Sequence, residues 1–325
     1  MTAIRRVVPG LVVLVALAAL SQAVGSATPL SPLVVAIGSG ALVAAAVGVP
    51  DWAEAGLDRH KLLLETGIVL LGAQLTLGQL VTTGPVVVAL AFGVVVVGVL
   101  FVELLGRQVG IESRTRSLLA AGASVCGVSA VLAVAGSIDG DEADISYAAG
   151  TVLLFDAVTL VAFPVVGTML GLPDRVFGVW AGLSLFSTGP TAAVGFAVSE
   201  TAGQWATITK LVRNTFIGVL AVAYALYYTT GEERTDATEI WYRFPKFLVG
   251  FLLVALIANL GFVDAATQSA VETVGDWLFA LAFVGLGFEL NPRRLRATGL
   301  APLLVVLAQF LTVSLLALGA ALLLV

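Results

Sequence analysis

The sequence predicts an all-α polytopic membrane protein of about 11 transmembrane helices, an inverted-repeat transporter with discontinuous helices. Three observations predict it. The 325 residues are 59% hydrophobic and 11% charged, with a mean hydropathy of +1.06, whereas soluble domains carry about 25% charged residues. The apolar residues gather into runs near the roughly 20 residues that cross a bilayer. The basic residues fall between those runs, and on one side of the membrane when eleven runs are counted. Other classes drop out on composition. One Cys (Cys126) and one His (His60) exclude a disulfide framework and a His/Cys metal site. A net charge of −5 speaks against nucleic acid, and no cofactor motif is present.

Run by run, 7–25 follows the basic start "MTAIRR" and mimics a secretory signal, but 29–49 follows at once, so it reads as a retained first helix. The polar stretch around Asp51–Lys61, with His60 as a loop residue, leads to 62–81 and 84–105. Run 117–138 contains "GASVCGVSAVLAVAG", rich in small and hydroxyl residues around Gly122 and Gly127. Run 145–170 carries Asp156 near its middle. Run 176–198 opens with "GVWAG", whose glycine spacing permits close helix packing, and then sets Gly189-Pro190 at its centre, where proline removes a donor. Run 204–230 carries Lys210 and Arg213, and 244–263, 272–290 and 299–325 complete a single integral membrane domain, 1–325.

Orientation follows from charge. With the N-terminus in the cytoplasm, fourteen of sixteen basic residues lie on the cytoplasmic side, and "GSIDGDEAD" puts four acids outside. The prediction is a plasma-membrane protein with eleven spans, its N-terminus cytoplasmic and its C-terminus outside. Lys210 and Arg213 are the two basic residues that this topology leaves inside a span, where a cation costs at least about 2.5–3.5 kcal/mol. Snorkelling to the outer surface is the plain explanation. The functional one is a cationic face that meets an acid or an anionic substrate.

The glycine- and serine-rich stretches at 122–136 and 182–196 suggest what would meet it: the second reads as a helix break, the first equally as a break or as small residues for close helix packing. Interrupted helices present free N–H groups to anions, so the candidate substrate-binding residues are Lys210, Arg213, Ser124, Cys126, Gly127, Ser129, Ser187, Thr188 and Thr191. Asp156 is the candidate coupling or gating residue. Glu65, Glu103 and Glu289 lie within a turn or two of the cytoplasmic face and read as interfacial, and Gln309 reads as interhelical glue. A repeat links "GAQLTLGQLVTTG" (72–84) with "GFELNPRRLRATG" (287–299), and the two spans they close run in opposite directions.

The segments "PGLVVLVALAAL", "TGIVLLGAQLTLGQL", "GASVCGVSAVLAVAG", "FGVWAGLSLFSTG", "TKLVRNT" and "GLGFELNPRRLRATG", in this order, resemble the YeiH family, inner-membrane proteins assigned as sulfate exporters. The resemblance covers nearly the whole chain and is most specific at "CGVS" (126–129) and "KLVR" (210–213). It implies export of sulfate or related sulfur oxyanions, and kinship with the sodium/proton antiporter and bile-acid symporter fold. By that analogy two inverted halves are 29–171 and 176–325, with 7–25 an extra helix. The chain departs from the family pattern after "FGVWAGLSL". Where the family continues His-Asp-Thr-Ala-Gln, this sequence has Phe186 to Pro190 and keeps only Thr188; Asp156 stands where a small residue is usual.

Three function classes are open to such a chain. The first is a secondary transporter of a small anion, sulfate- or sulfite-like, working by alternating access with H⁺ or Na⁺ as coupling ion, in a homo-oligomer or alone. The second is a cation/proton antiporter in which the buried basic pair forms a structural salt bridge. The third, an intramembrane enzyme, lacks its parts: one interfacial His, one central Asp and no Gly-x-Ser-x-Gly elbow; the lack of a Walker loop speaks against direct ATP drive of transport.

Overall fold

The computed structural model describes residues 2–27, 32–74, 77–138, 140–228, 246–260, 263–289 and 300–325, and over these the chain is helical with short connections. The loop 231–244, most of the second repeat copy (290–299) and Leu75–Thr76 of the first lie outside the described residues. So do the basic residues Arg234, Arg243, Arg293, Arg294 and Arg296.

Among the described residues, seven helical stretches are long and apolar enough to cross a membrane: Arg6–Ala27, Gly84–Gln108, Ser113–Ile138, Ala143–Met169, Glu200–Tyr228, Ala266–Glu289 and Leu300–Leu324. The other four expected runs are helical but short or interrupted. Run 29–49 gives a helix Pro32–Ala46, 62–81 gives His60–Leu71 followed by a 3₁₀ turn Gly72–Gln74, and 244–263 gives Lys246–Asn259. Run 176–198 gives two eleven-residue helices, Asp174–Ser184 and Thr188–Val198. Its break falls at Leu185–Ser187, just before the expected Gly189-Pro190. Pro190 sits in the first turn of the second helix, where a missing N–H costs no intrahelical bond.

The chain divides into two compact units, Met1–Thr82 with Lys246–Arg293 and Thr83–Pro245 with Arg294–Val325. Each takes segments from both sequential halves. In the first unit, α1 (Thr2–Ala27) packs on α2 (Pro32–Ala46) and α3 (Asp51–Leu57), while α4 (His60–Leu71) packs on the two helices that follow position 245. The longer of these, Ala265–Glu289, crosses α2 at Gly40 and Gly287, where either Cβ would run into the facing backbone. Asp264 caps this helix by accepting from the Thr267 N–H at 2.9 Å, and the Thr267 side chain, then this backbone bond, hold its carboxyl below the usual range. His60 is buried rather than in a loop. Its Nδ1 lies 2.8 Å from the Leu57 carbonyl, and its Nε2 3.5 Å from Glu289, which also pairs with Lys61 at 2.9 Å.

The second unit begins with α5 (Leu77–Gln108) and α6 (Ser113–Ala121), then continues through a π turn (Gly122–Cys126) into α7 (Gly127–Ile138) and α8 (Glu142–Met169). α9 (Asp174–Ser184), α10 (Thr188–Val198), α11 (Glu200–Asn214) and α12 (Phe216–Tyr228) follow. After α13 (Lys246–Asn259) and α14 (Ala265–Glu289) of the first unit, α15 (Leu300–Leu324) returns to the second. Polar side chains set the helix starts: Glu112 caps α6 through the Arg114 and Thr115 N–H groups, Asp141 caps α8 and Ser199 caps α11. Phe163 stacks on Trp180 at 4.3 Å, and the Trp180 indole N–H is shared between the Ser314 carbonyl and hydroxyl, both at 3.0 Å.

Glu103 clamps three helices. Its Oε2 pairs with Arg116 Nε at 2.6 Å, and its Oε1 accepts from Ser117 and Tyr224, both at 2.7 Å. α5, α6 and α12 are thereby tied at one end of the unit, with Tyr228 adding a bond to the Ser113 carbonyl at 2.8 Å.

Candidate functional site

Two interruptions in the second unit build the site. In the first, Gly127 has φ +51° and ψ −137° after the π turn, and α7 restarts there. Glycine adopts such a backbone without strain, and here it also has to, because a Cβ at Gly127 would collide with the Ser187 hydroxyl. In the second, Leu185 and Ser187 are extended (φ −72°, ψ 148° and φ −99°, ψ 151°) between α9 and α10. The two breaks therefore meet. Gly127 lies against Ser187, and Cys126 Sγ is 3.4 Å from Thr188 Oγ1.

An interrupted helix leaves unpaired carbonyls where its first half ends and unpaired N–H groups where its second half begins. α11 takes up the carbonyl ends. Arg213 donates through Nε to the Ser124 carbonyl (2.7 Å), through one terminal nitrogen to Leu183 and Leu185 (both 2.8 Å) and through the other to Ala123 (2.9 Å). Lys210 Nζ donates to the carbonyls of Val125 (2.8 Å) and Leu185 (2.9 Å). Both side chains are fully buried, so neither snorkels. They bridge the ends of α6 with its π turn and of α9, and offset the partial negative charge gathered there.

The N–H ends are met differently. Ser187 gives α10 no side-chain cap, and its own N–H donates to Asp156 Oδ1 at 3.1 Å. The Thr191 hydroxyl donates to the Ser187 carbonyl at 2.7 Å. Asn214 Nδ2 donates to Thr188 Oγ1 at 3.0 Å, while its Oδ1 is buried with no hydrogen-bond partner among the described residues. Asp156 is 2% exposed and interacts electrostatically with both cations. Ser187 and Thr188 are half-buried and Ser129, in the first turn of α7, is exposed. The N–H side thus opens toward the surface, while the carbonyl side is sealed by Lys210 and Arg213.

The structure brings Lys210, Arg213, Cys126, Gly127, Ser187, Thr188 and Asp156 together. Ser124 joins them through its carbonyl; its hydroxyl lies against Gly98 instead. Thr191 is buried one turn into α10. Asn214 was missing from the expected binding set, although its position four residues after Lys210 puts it on the same face of α11. Phe186 packs between Phe155 (ring centroids 5.6 Å apart) and Phe310 (5.7 Å).

Comparison with known proteins gives a consistent result. The family described as Conserved hypothetical protein 698 matches residues 9–306. A UPF0324 membrane protein of Nitratidesulfovibrio vulgaris is 31% identical over 92% of this chain and 88% of its own length. The UPF0324 membrane protein RB9488 of Rhodopirellula baltica is 32% identical over 79% of this chain, which spans about half the length of that relative. The UPF0324 membrane protein TauZ of Paracoccus denitrificans is 26% identical over 80% of both chains. No solved structure matches the chain.

Proposed function

Since the chain belongs to the UPF0324 family of multi-pass membrane proteins, we propose that it is a secondary transporter of a small anion, with its binding site at the junction of the two broken helices. One observation carries this reading: the N–H ends of α7 and α10 meet at Gly127 and Ser187, with two buried cations fixed directly behind them. Helix N-termini attract anions through their free N–H groups and dipoles. The Ser187 and Thr188 hydroxyls and the Asn214 amide supply further polar contacts. Lys210 and Arg213 act from behind, because their donors are held by carbonyls, and they keep the potential at the junction positive.

On this reading the two short breaks are the moving parts of an alternating-access cycle, and the short helices α2, α4, α9–α10 and α13 complete eleven crossings with the N-terminus inside. Sulfate or sulfite is the substrate class that the family resemblance favours. H⁺ or Na⁺ would be the coupling ion, and no catalytic step is assigned to the chain. The test is uptake of labelled sulfite, sulfate and chloride into proteoliposomes, comparing wild type with Ser187→Ala and Asn214→Leu. The expected result is uptake of at least one anion, reduced tenfold or more in both variants with the fold retained. Na⁺ or H⁺ flux that proceeds without any anion would favour the antiporter instead.

A further inference from the structure

The junction has a definite charge, and that charge selects its ligand. Resting on the anion-site reading above, we infer that Asp156 sets the valence of the anion bound: a monovalent anion while Asp156 is ionised, a divalent anion only together with one proton on Asp156.

Around the junction stand two cations, Lys210 and Arg213, and one carboxylate, Asp156, all within 2% of full burial. One net positive charge is left. Charge that is buried without compensation is costly, so a bound monovalent anion brings the junction to neutrality. A divalent anion would overshoot by one. Protonating Asp156 restores the balance, with the proton coming from solvent and forming one O–H bond on the carboxyl. Asp156 stands where such a proton matters, since its Oδ1 accepts from Ser187 N–H at the start of α10. Asn214, anchored through Nδ2 on Thr188 Oγ1 in the first turn of α10, carries a second amide N–H at the same place, a donor that an anion can use.

Few other groups compete for this role. Of the elements packed on α8, α7, α10 and α15 carry no ionisable side chain. The π turn contributes Cys126, whose Sγ lies 3.4 Å from Thr188 Oγ1. α6 contributes Arg114 and Arg116, and Arg116 is held by Glu103, while Thr115 bonds Asp144 a full three turns from Asp156.

Isothermal titration of the purified full-length protein with choline nitrate and choline sulfate, between about pH 5.5 and 7.5, tests the inference. Nitrate stays monovalent and sulfate divalent throughout that range. Sulfate affinity should rise about tenfold for each unit that pH falls, as uptake of one proton requires, while nitrate affinity stays level. Asp156→Asn keeps an oxygen for the Ser187 N–H but cannot titrate. It should bind sulfate at least tenfold more tightly than wild type at the upper pH, with no pH slope. Wild-type sulfate binding that is independent of pH, or a nitrate slope equal to that of sulfate, overturns the inference and leaves the anion site standing. Failure of every anion to bind at any pH overturns both.

Discussion

Arg213 holds four main-chain carbonyls from two different helix ends, and no other side chain has the geometry to do so. A guanidinium spreads five donors in a fixed plane, whereas an ammonium is a compact point charge. Hydrogen bonds to a charged group contribute about 1.5–3 kcal/mol each, and a buried acceptor left bare adds its own penalty. Arg213→Met is therefore expected to destabilise the protein by about 3 kcal/mol or more, read as a large fall in thermal midpoint in detergent. Arg213→Lys should recover only part of the loss. Lys210→Met, which removes two bonds rather than four, should cost less; equal losses in the two methionine variants would contradict this account of the site. The sequence made both cations conspicuous but could not name their partners. Those partners are carbonyls lying 25 to 90 residues away, and a carbonyl is the same whichever residue carries it. Only the fold could reveal them.

At the scale of elements, α11 sits in the right place because α9 allows it to come close. A Cβ at Gly178 would stand 2.5 Å from the Ala202 carbonyl oxygen and 3.0 Å from the Ala206 nitrogen, and one at Gly182 2.7 Å from the Ala206 carbonyl. These contacts are with backbone, which cannot swing aside. Gly178→Ala should thus push α11 outward and cost about 1–3 kcal/mol, and it should weaken anion binding as well, since the displaced helix carries Lys210, Arg213 and Asn214. Gly93→Ala in α5 is the control: its Cβ meets nothing within 4 Å, and a helical alanine is worth up to about 1 kcal/mol over glycine. If Gly178→Ala melts like Gly93→Ala, the close approach does not fix α11. This packing was legible in "GVWAG", because small residues at helical spacing have a single geometric use. The second break was legible too, from the cluster of glycine, serine and proline, whereas the small residues of the first suit close packing equally well. The first comes at Gly127, one of the two glycines around which those residues gather, and the second before Gly189-Pro190, since tertiary contact between Gly127 and Ser187 decides where each helix yields.

Over the whole molecule, length and charge give different counts of crossings. Seven described stretches are long enough to span on their own; the distribution of arginine and lysine asks for eleven. The shorter segments are not disqualified by size. Two eleven-residue helices placed end to end reach about 33 Å, and fifteen residues reach about 22 Å, against a hydrocarbon core of about 30 Å that thins or is bridged by flanking residues at modest cost. Two exposed positions separate the counts. Asp58 lies between α2 and α4, and Glu200 follows α10. If all eleven cross, Asp58 faces the cytoplasm and Glu200 the outside; if only the seven long stretches cross, both assignments reverse. Gln108 inside and Gly140 outside are common to the two counts and fix the orientation. Because Cys126 is the sole cysteine, Cys126→Ser supplies a background for single cysteines at these four positions. A membrane-impermeant maleimide applied to intact cells is expected to label Gly140→Cys and Glu200→Cys, and to reach Asp58→Cys and Gln108→Cys only after the membrane is opened. Labelling of Asp58→Cys in intact cells, with Glu200→Cys protected, would mean that the short helices stay on one side. The broken pair α9–α10 would then be a re-entrant element, approached by its anion from the face on which it enters.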